Sequence, residues 1–408
     1  MKVAIFSDTF YPKTDGMSTS SQNLAASLAR QGHQVLVVAP KPSLRRKEAF
    51  SLPGVEIVWL ASVPAGWYPD LRIAVWSPEL RKKLQTWQPD VVHAMSPMPI
   101  SLAGIAYAKM KKLPLVMTFH TYFMDPEYLK VVKVDKTGHF VEELGWDLAR
   151  VVHARAEVTI APSDYVKRDL EKWQFKEPIV VIPSGVQTNS PVIDRQKLVS
   201  LRQQWNVPDK NVLVTIGRVS VEKNLRGLLR VVQLVKKQIP TVRLLVVGDG
   251  PDLSAIKKQV KKLQLEQQVS FTGSIPHQKL LTDGYYRLGE LFVTASMSET
   301  QGLTALEAQM FGLPVVAYAA KGLPFVVGQA GVLIQPEDES AMSEAIVKLL
   351  TDPDQMSRVK RQVAKNLQRF DIEQTTAEVV KAYQLAQKIS RRKRAGVKDL
   401  DLFTQNMR

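Results

Sequence analysis

Along most of the chain, short runs of β-branched and other apolar residues alternate with stretches whose apolar positions recur at helical spacing. This is the pattern of βαβ units, because strands covered on both faces read as near-continuous apolar runs while the helices covering them are amphipathic. In the first half the pattern predicts strands at residues 2–7, 34–39, 55–59, 90–94, 114–119, 158–161 and 179–182. In the second half it predicts strands at 212–217, 243–248, 269–273, 291–295, 314–317 and 331–334. Right-handed crossovers make each half a doubly wound parallel sheet. A stretch rich in Ser, Gly, Asn and Pro at 183–191 separates the halves, and a new helical pattern opens at Leu198. The expected organisation is α/β throughout, with Rossmann-like domains at 1–188 and 189–370, a crossover helix at 371–390 and a frayed basic tail at 391–408.

Composition narrows the function. With 45% hydrophobic and 23% charged residues, the 408-residue chain is neither disordered nor collagen-like and can fill two cores. It has no cysteine, which excludes disulfide scaffolds, zinc-thiolate sites, iron-sulfur clusters and a thiol nucleophile. The apolar stretches at 91–105 and 312–327 are both interrupted, the second by Lys321, short of the roughly 18 residues a spanning helix needs. The chain runs into its first strand without a leader pattern, so a cytoplasmic protein is expected. The net charge of +16 changes the picture, since such a balance attracts nucleic acid, an anionic bilayer or phosphorylated substrates. The local basic concentrations are Arg45-Arg46-Lys47, Arg81-Lys82-Lys83, Lys109/Lys111/Lys112 and Arg391-Arg392-Lys393-Arg394.

Open parallel sheets bind ligands at the carboxyl ends of their strands, so the loops after strands carry the candidate chemistry. The first loop contains Asp15-Gly16, where glycine admits close backbone approach, and a Ser/Thr run from Ser18 expected to cap the next helix. Another presents His120-Thr121-Tyr122. A third, Gly217 to Asn224, places Arg218 and Lys223 at a helix start, where cations oppose the macrodipole unless an anion is bound. The fourth runs from Ser298 to Glu307 and opens a helix ending at Phe311, with Gly312 as its left-handed stop. Free N–H groups at Gly302, Leu303 and Thr304 suit a phosphate. Glu299 precedes that helix and Glu307 lies on it, either as acceptors for ligand hydroxyls or as partners of the helix dipole. Asp249 and Asp252, beside a Gly-Pro turn, read as a helix cap, and no cluster with metal-ligand spacing is expected.

Together these loops resemble the retaining glycosyltransferases of family 4, which have the GT-B fold. The resemblance rests on Glu299 and Glu307 with seven residues between them. It also rests on Gly217-Arg218 with Lys223, the turn from Val247 to Pro251, Phe271-Thr272-Gly273, and the run from Ile182 to Val186. The family often has a second glycine where this chain has Asp15, and an Asn where it has Ser184. The resemblance implies two Rossmann-like domains facing a cleft, with the last helix crossing back to the first domain. It implies that Arg218 and Lys223 bind the donor diphosphate, completed by backbone at Gly302 and Leu303. Gly16, Gly248 and Gly273 would line the donor site. Glu307 would hold the ribose, Glu299 the sugar hydroxyls, and His120 would contact the transferred sugar near the reacting carbon. The implied donor is a UDP- or GDP-hexose, a substrate rather than a cofactor, and no metal is implied. Retention would follow front-face attack through an oxocarbenium-like state.

Within the family, the segments around Phe6 to Ser20 and Tyr68 to Ala74 look most like enzymes that glycosylate membrane lipids, such as diacylglycerol, phosphatidylinositol or a sulfoquinovosyl precursor. Asp15 and Tyr122 are candidate acceptor contacts. The segment holding Trp67, Tyr68, Trp76, Leu80, Arg81, Lys82, Lys83, Leu84 and Trp87 is expected to lie on an anionic bilayer, peripherally on the inner face. The alternative is that its aromatic residues fill the core. A soluble or polysaccharide acceptor, a sugar-nucleotide epimerase and a catalytically silent sugar-nucleotide-binding protein are the rival readings. Nucleic acid is not expected, because the basic stretches lack interleaved stacking aromatics.

Overall fold

The computed structural model describes residues 1–12, 15–42, 50–64, 72–74, 76–120, 122 and 138–395. The chain divides into two compact units, one of Met1–Thr121, Glu143–Gly185 and Ile372–Arg408, the other of Tyr122–Glu142 and Val186–Asp371.

In the first unit seven parallel strands run, edge to edge, Val55–Leu60, Gln34–Pro40, Lys2–Phe6, Val91–Ala94, Leu115–Thr118, Val158–Ala161 and Ile179–Val181. The strand order reverses between Lys2–Phe6 and Val91–Ala94, so the loops after these strands flank the switch point where such sheets take ligands. Both faces are covered, which explains the unbroken apolar runs. Val3, Ile5, Val37 and Val116 pack under Leu24 and Leu28 of helix Gly16–Arg30 and under Tyr383 and Ala386 of helix Ile372–Arg394. On the other face, Phe6, Leu36 and Val92 pack against Leu80 and Leu84 of helix Pro78–Trp87 and Ile105 of helix Pro99–Lys111. A Cβ at Gly104 would stand 2.5 Å from the Phe6 ring, so that helix lies flush on the sheet only because the position is glycine.

The second unit has six parallel strands in the order Val269–Gly273, Arg243–Val247, Val212–Ile216, Leu291–Thr294, Val315–Tyr318 and Gly331–Ile334. It too has apolar clusters on both faces. This is the doubly wound α/β architecture the alternation predicts, twice over.

Three expectations are corrected. Helix Gly16–Arg30 is capped not by the Ser/Thr run but by Asp15, whose carboxylate accepts from Ser18 N at 2.8 Å and from Thr9 Oγ1 at 3.0 Å; Ser18 to Ser21 are buried within the helix. Asp252 stands at the N-cap of helix Leu253–Lys262 without capping it, since its carboxylate accepts from Arg226 at 2.8 Å, and the Asp249 carboxylate accepts from Gly250 N. The last helix runs to Arg394, so Arg391-Arg392-Lys393-Arg394 forms its final turn, where cations complement the dipole, and the expected tail from 396 onward lies outside the described residues. No helix among the described residues is long and apolar enough to cross a membrane.

Candidate functional site

The loops at the carboxyl ends of the second sheet are knit to one another. Gly217 and Gly248 leave their strands at φ +150° and +146°, and a Cβ on Gly248 would stand 1.9 Å from the Gly217 carbonyl oxygen. Val219 N donates to Asp249 O at 2.9 Å, and Asp252 N to Val219 O at 3.1 Å. Glycine at 248 therefore lets two turns touch through backbone alone. Gly273, at φ +71°, closes the neighbouring strand.

After Gly217 comes Arg218 and then a short 3-10 turn, Val221–Lys223, which ends in the second predicted cation. Arg218 donates to Glu222 Oε1 at 2.8 Å, four residues on, and Ser220 Oγ donates to the same oxygen. Glu222 is only 2% exposed. Burial alone would raise its pKa, but the Arg218 charge, the Ser220 hydrogen bond and the Lys223 charge outweigh it and hold the carboxyl below its ordinary value. Lys223 Nζ donates to Glu299 Oε1, which joins this turn to the loop after Leu291–Thr294. The backbone repeats that link, with Met297 N donating to Glu222 O at 3.0 Å.

Helix Leu303–Met310 begins at Gly302, held at φ +97°, with no side-chain cap among the described residues. Gly322 N donates to Glu299 O at 2.9 Å, and a Cβ at Gly322 would stand 2.3 Å from the Thr300 carbonyl oxygen. The loop from Glu299 to Gly302 is thus pinned on both sides, beside Lys223 and through it the Arg218 turn. Arg218, Lys223, Glu299, Gly302 and Leu303 are brought together in one loop cluster.

Glu307 lies on the same helix, 4% exposed. Its Oε1 lies 2.6 Å from His277 Nε2, and its Oε2 accepts from the Tyr286 hydroxyl. Burial pulls His277 toward lower pKa, but the charge and hydrogen bond of Glu307 lift it above its ordinary value; burial and that same carboxylate push Tyr286 well above the usual phenol range. Sequence reasoning missed Glu222, His277 and Tyr286. It also missed Lys321, a left-handed residue at φ +47° whose ammonium stands 4.7 Å from the centre of the Tyr122 ring and whose pKa burial lowers to about 8. Tyr122 itself is buried.

The first unit presents a different chemistry at its loops. Gly16 is the first residue of its helix, directly after the Asp15 cap. Burial lowers His120 to about 4, against the raising influence of the Asp15 charge, and burial with the neighbouring His120 charge lowers His93 to about 3. His93 is fully engaged, Nδ1 with the Tyr383 hydroxyl and Nε2 with Thr118 Oγ1, both at 2.8 Å. A small cavity is lined by His93, Thr118, His120, Ser20, Ser184 and Thr375.

The basic segment does not lie as expected. Leu80 and Leu84 are buried, and Trp76 and Trp87 pack against the same core. The apolar stripe of helix Pro78–Trp87 faces inward, because a surface helix puts that stripe on its own sheet. Arg81 and Lys82 are exposed, and Lys83 pairs with Glu56. Trp67 and Tyr68 lie outside the described residues.

Residues 14–190 match the family described as Glycosyltransferase Family 4, and residues 200–366 match Glycosyl transferases group 1. Alpha-monoglucosyldiacylglycerol synthase of Streptococcus pneumoniae is 31% identical over 78% of this chain and 71% of its own length. The sulfoquinovosyl transferase SQD2 of Arabidopsis thaliana is 27% identical over 93% of this chain and 72% of its own. Among solved structures, Anabaena HepE in complex with UDP and glucose superposes with a TM-score of 0.73 at 19% identity, covering 94% of this chain and 99% of that one. Sucrose-phosphate synthase of Thermosynechococcus elongatus gives a TM-score of 0.75 at 22% identity, covering 94% and 98%. The fold is GT-B, and the knit cluster of cations, glutamates and helix start sits in the region matched to Glycosyl transferases group 1; the chain belongs to the family 4 glycosyltransferases.

Proposed function

We propose that the protein transfers a hexose, with retention at the anomeric carbon, from a UDP- or GDP-linked donor to a membrane lipid such as diacylglycerol or a phospholipid. The observation that carries this reading is the joining of Arg218, Lys223, Glu299 and the uncapped start of helix Leu303–Met310 in one cluster. As the glycosidic bond breaks, charge grows on the leaving diphosphate, and cations fixed in advance stabilise that charge more than they stabilise the ground state. Arg218 and Lys223 are each already held by a carboxylate, Glu222 and Glu299, so their positions are set before the donor arrives.

In this reading the helix start at Gly302 and Leu303 adds N–H donors, the backbone at Gly16, Gly248 and Gly273 lines the donor site, and Glu307 takes the ribose. Glu299 bonds sugar hydroxyls once the diphosphate competes for Lys223. His120, held neutral by burial, contacts the sugar beside the reacting carbon, where an imidazolium would repel an oxocarbenium-like centre. The arginine and lysine neutralise the diphosphate, and transfer proceeds without a metal.

The name of one relative, a monoglucosyldiacylglycerol synthase, supports the lipid acceptor. HepE was solved with UDP and glucose, which supports a nucleotide sugar as donor. Arg81 and Lys82, exposed on one helix, are candidates for holding the protein peripherally on the cytoplasmic face of an anionic membrane, with Asp15 and Tyr122 as acceptor contacts. The test is a panel of UDP- and GDP-hexoses offered with diacylglycerol in mixed micelles and, separately, with soluble sugars. The expected outcome is one donor consumed only with lipid present and a glycolipid with an α-linkage. A glycosylated soluble sugar with untouched lipid contradicts the acceptor, and a β-linkage contradicts retention.

A further inference from the structure

Glu307 is held more elaborately than a ligand-binding carboxylate requires. Its two oxygens meet two different donors, His277 Nε2 at 2.6 Å and the Tyr286 hydroxyl, which reach it from elements 30 and 21 residues away. His277 opens the short helix His277–Thr282, and Tyr286 lies in the turn Tyr285–Leu288. Tyr286 is wholly buried and its ring stacks on Phe311, centroids 5.3 Å apart and 11° from parallel. Phe311 caps the C-terminus of the helix that carries Glu307, so one tyrosine locates both the carboxylate and the end of its helix.

We propose that His277 and Tyr286 are positioning residues for nucleotide binding, fixing the Glu307 carboxylate so that one lone pair on each oxygen remains aimed at the ribose diol. The inference rests on the reading that Glu307 takes the ribose. A carboxylate oxygen can accept from two directions, so one internal donor per oxygen leaves one acceptor site per oxygen, which matches two adjacent hydroxyls. A buried carboxylate also needs compensation that a neutral ribose does not bring. His277 supplies it, as Lys223 does for Glu299. The two glutamates therefore carry different supports: a lysine where phosphate charge arrives, and an imidazole–phenol pair where an uncharged sugar arrives.

The experiment is calorimetric titration of the full chain with UDP and GDP, each as the ribonucleotide and as the 2′,3′-dideoxy form. Wild type is expected to prefer the ribo form by at least about tenfold, the scale of hydrogen bonds to a charged group. His277→Ala and Tyr286→Phe should each cut that preference by roughly fivefold to tenfold while leaving dideoxy affinity within about twofold. His277→Gln, whose amide nitrogen donates from nearly the same place, should restore the preference. If wild type has no ribose preference, or Glu307→Gln retains it, the ribose reading falls and this inference with it. If Glu307→Gln loses the preference but His277→Ala and Tyr286→Phe keep it, the positioning role alone is overturned. Equal loss of both nucleotide forms in His277→Ala also overturns it, because a packing defect would not tell ribose from dideoxyribose. Tyr286→Phe removes one oxygen and keeps the stacked ring, so the test survives should His277→Ala fail to fold.

Discussion

In the first unit burial holds His93, His120 and His153 down to about 3, 4 and 3, and only His120 feels an opposing carboxylate, Asp15. In the second, burial pulls the same way on His277, yet Glu307 lifts it above its ordinary value. The first unit therefore presents neutral imidazoles near pH 7, whereas in the second Arg218, Lys223 and His277 each meet a carboxylate. Neutral, hydroxyl-rich surroundings suit a sugar and an uncharged acceptor; preset ion pairs suit a diphosphate. The division of labour proposed above follows from that contrast.

The largest effects should come from the second unit. Lys223→Ala and Glu299→Ala should each lower kcat/KM for transfer by about 10²-fold to 10³-fold or more while leaving the melting temperature nearly unchanged. Steady-state kinetics beside a thermal scan check this, and near wild-type turnover would remove these residues from their roles. An effect of roughly tenfold is expected in the first unit, where Arg81→Ala with Lys82→Ala should weaken binding to anionic vesicles and leave binding to neutral vesicles unchanged. Co-sedimentation reads both, and equal loss on the two vesicle types would show that charge is not the cause.

The smallest effect is on stability, and its sign should differ between the units. His93, His120 and His153 have folded-state pKa values below the ordinary 6.5, so the unfolded chain binds more protons as pH falls below about 6.5, and the folded state loses stability there. Asp8, raised by burial against its hydrogen bonds from Ser96 and the backbone of Ile100 and Ser101, acts in the opposite sense. His277 is raised, so its contribution is present below about 6.5 and lost as pH rises through its folded value. Thermal scans should show a melting temperature lower by several degrees at pH 5 than at pH 7. His153→Asn should flatten the acid side and His277→Gln the alkaline side, and the reverse pattern would contradict the contrast.

The fold was legible because parallel strands covered on both faces leave a signal that needs no long-range information; most predicted strands lie within a residue or so of the observed ones. Ends drifted where a loop residue continues the apolar run, as at Gly217 and Gly248, whose positive φ takes them out of the sheet. Arg218, Lys223, Glu299 and Gly302 were legible because each lies in the segment between a strand and the helix that follows it. Glu222 was not singled out because a carboxylate four residues from an arginine is ordinary on any helical turn. His277 and Tyr286 could not be tied to Glu307, because only the folded sheet brings these separate elements together. Trp76, Leu80, Leu84 and Trp87 form a stripe whose spacing is the same whether it meets lipid or core, and the core takes it.

Arg218, Lys223 and the start of helix Leu303–Met310 are proposed to act together on one pyrophosphate. The most direct measurement is the affinity of the protein for UDP relative to UMP, and GDP relative to GMP, in wild type, Arg218→Ala and Lys223→Ala. Wild type is expected to favour the diphosphate of its own base by about tenfold to a hundredfold, and either substitution to bring the ratio close to one while monophosphate affinity holds. An undiminished diphosphate preference in both variants would contradict it.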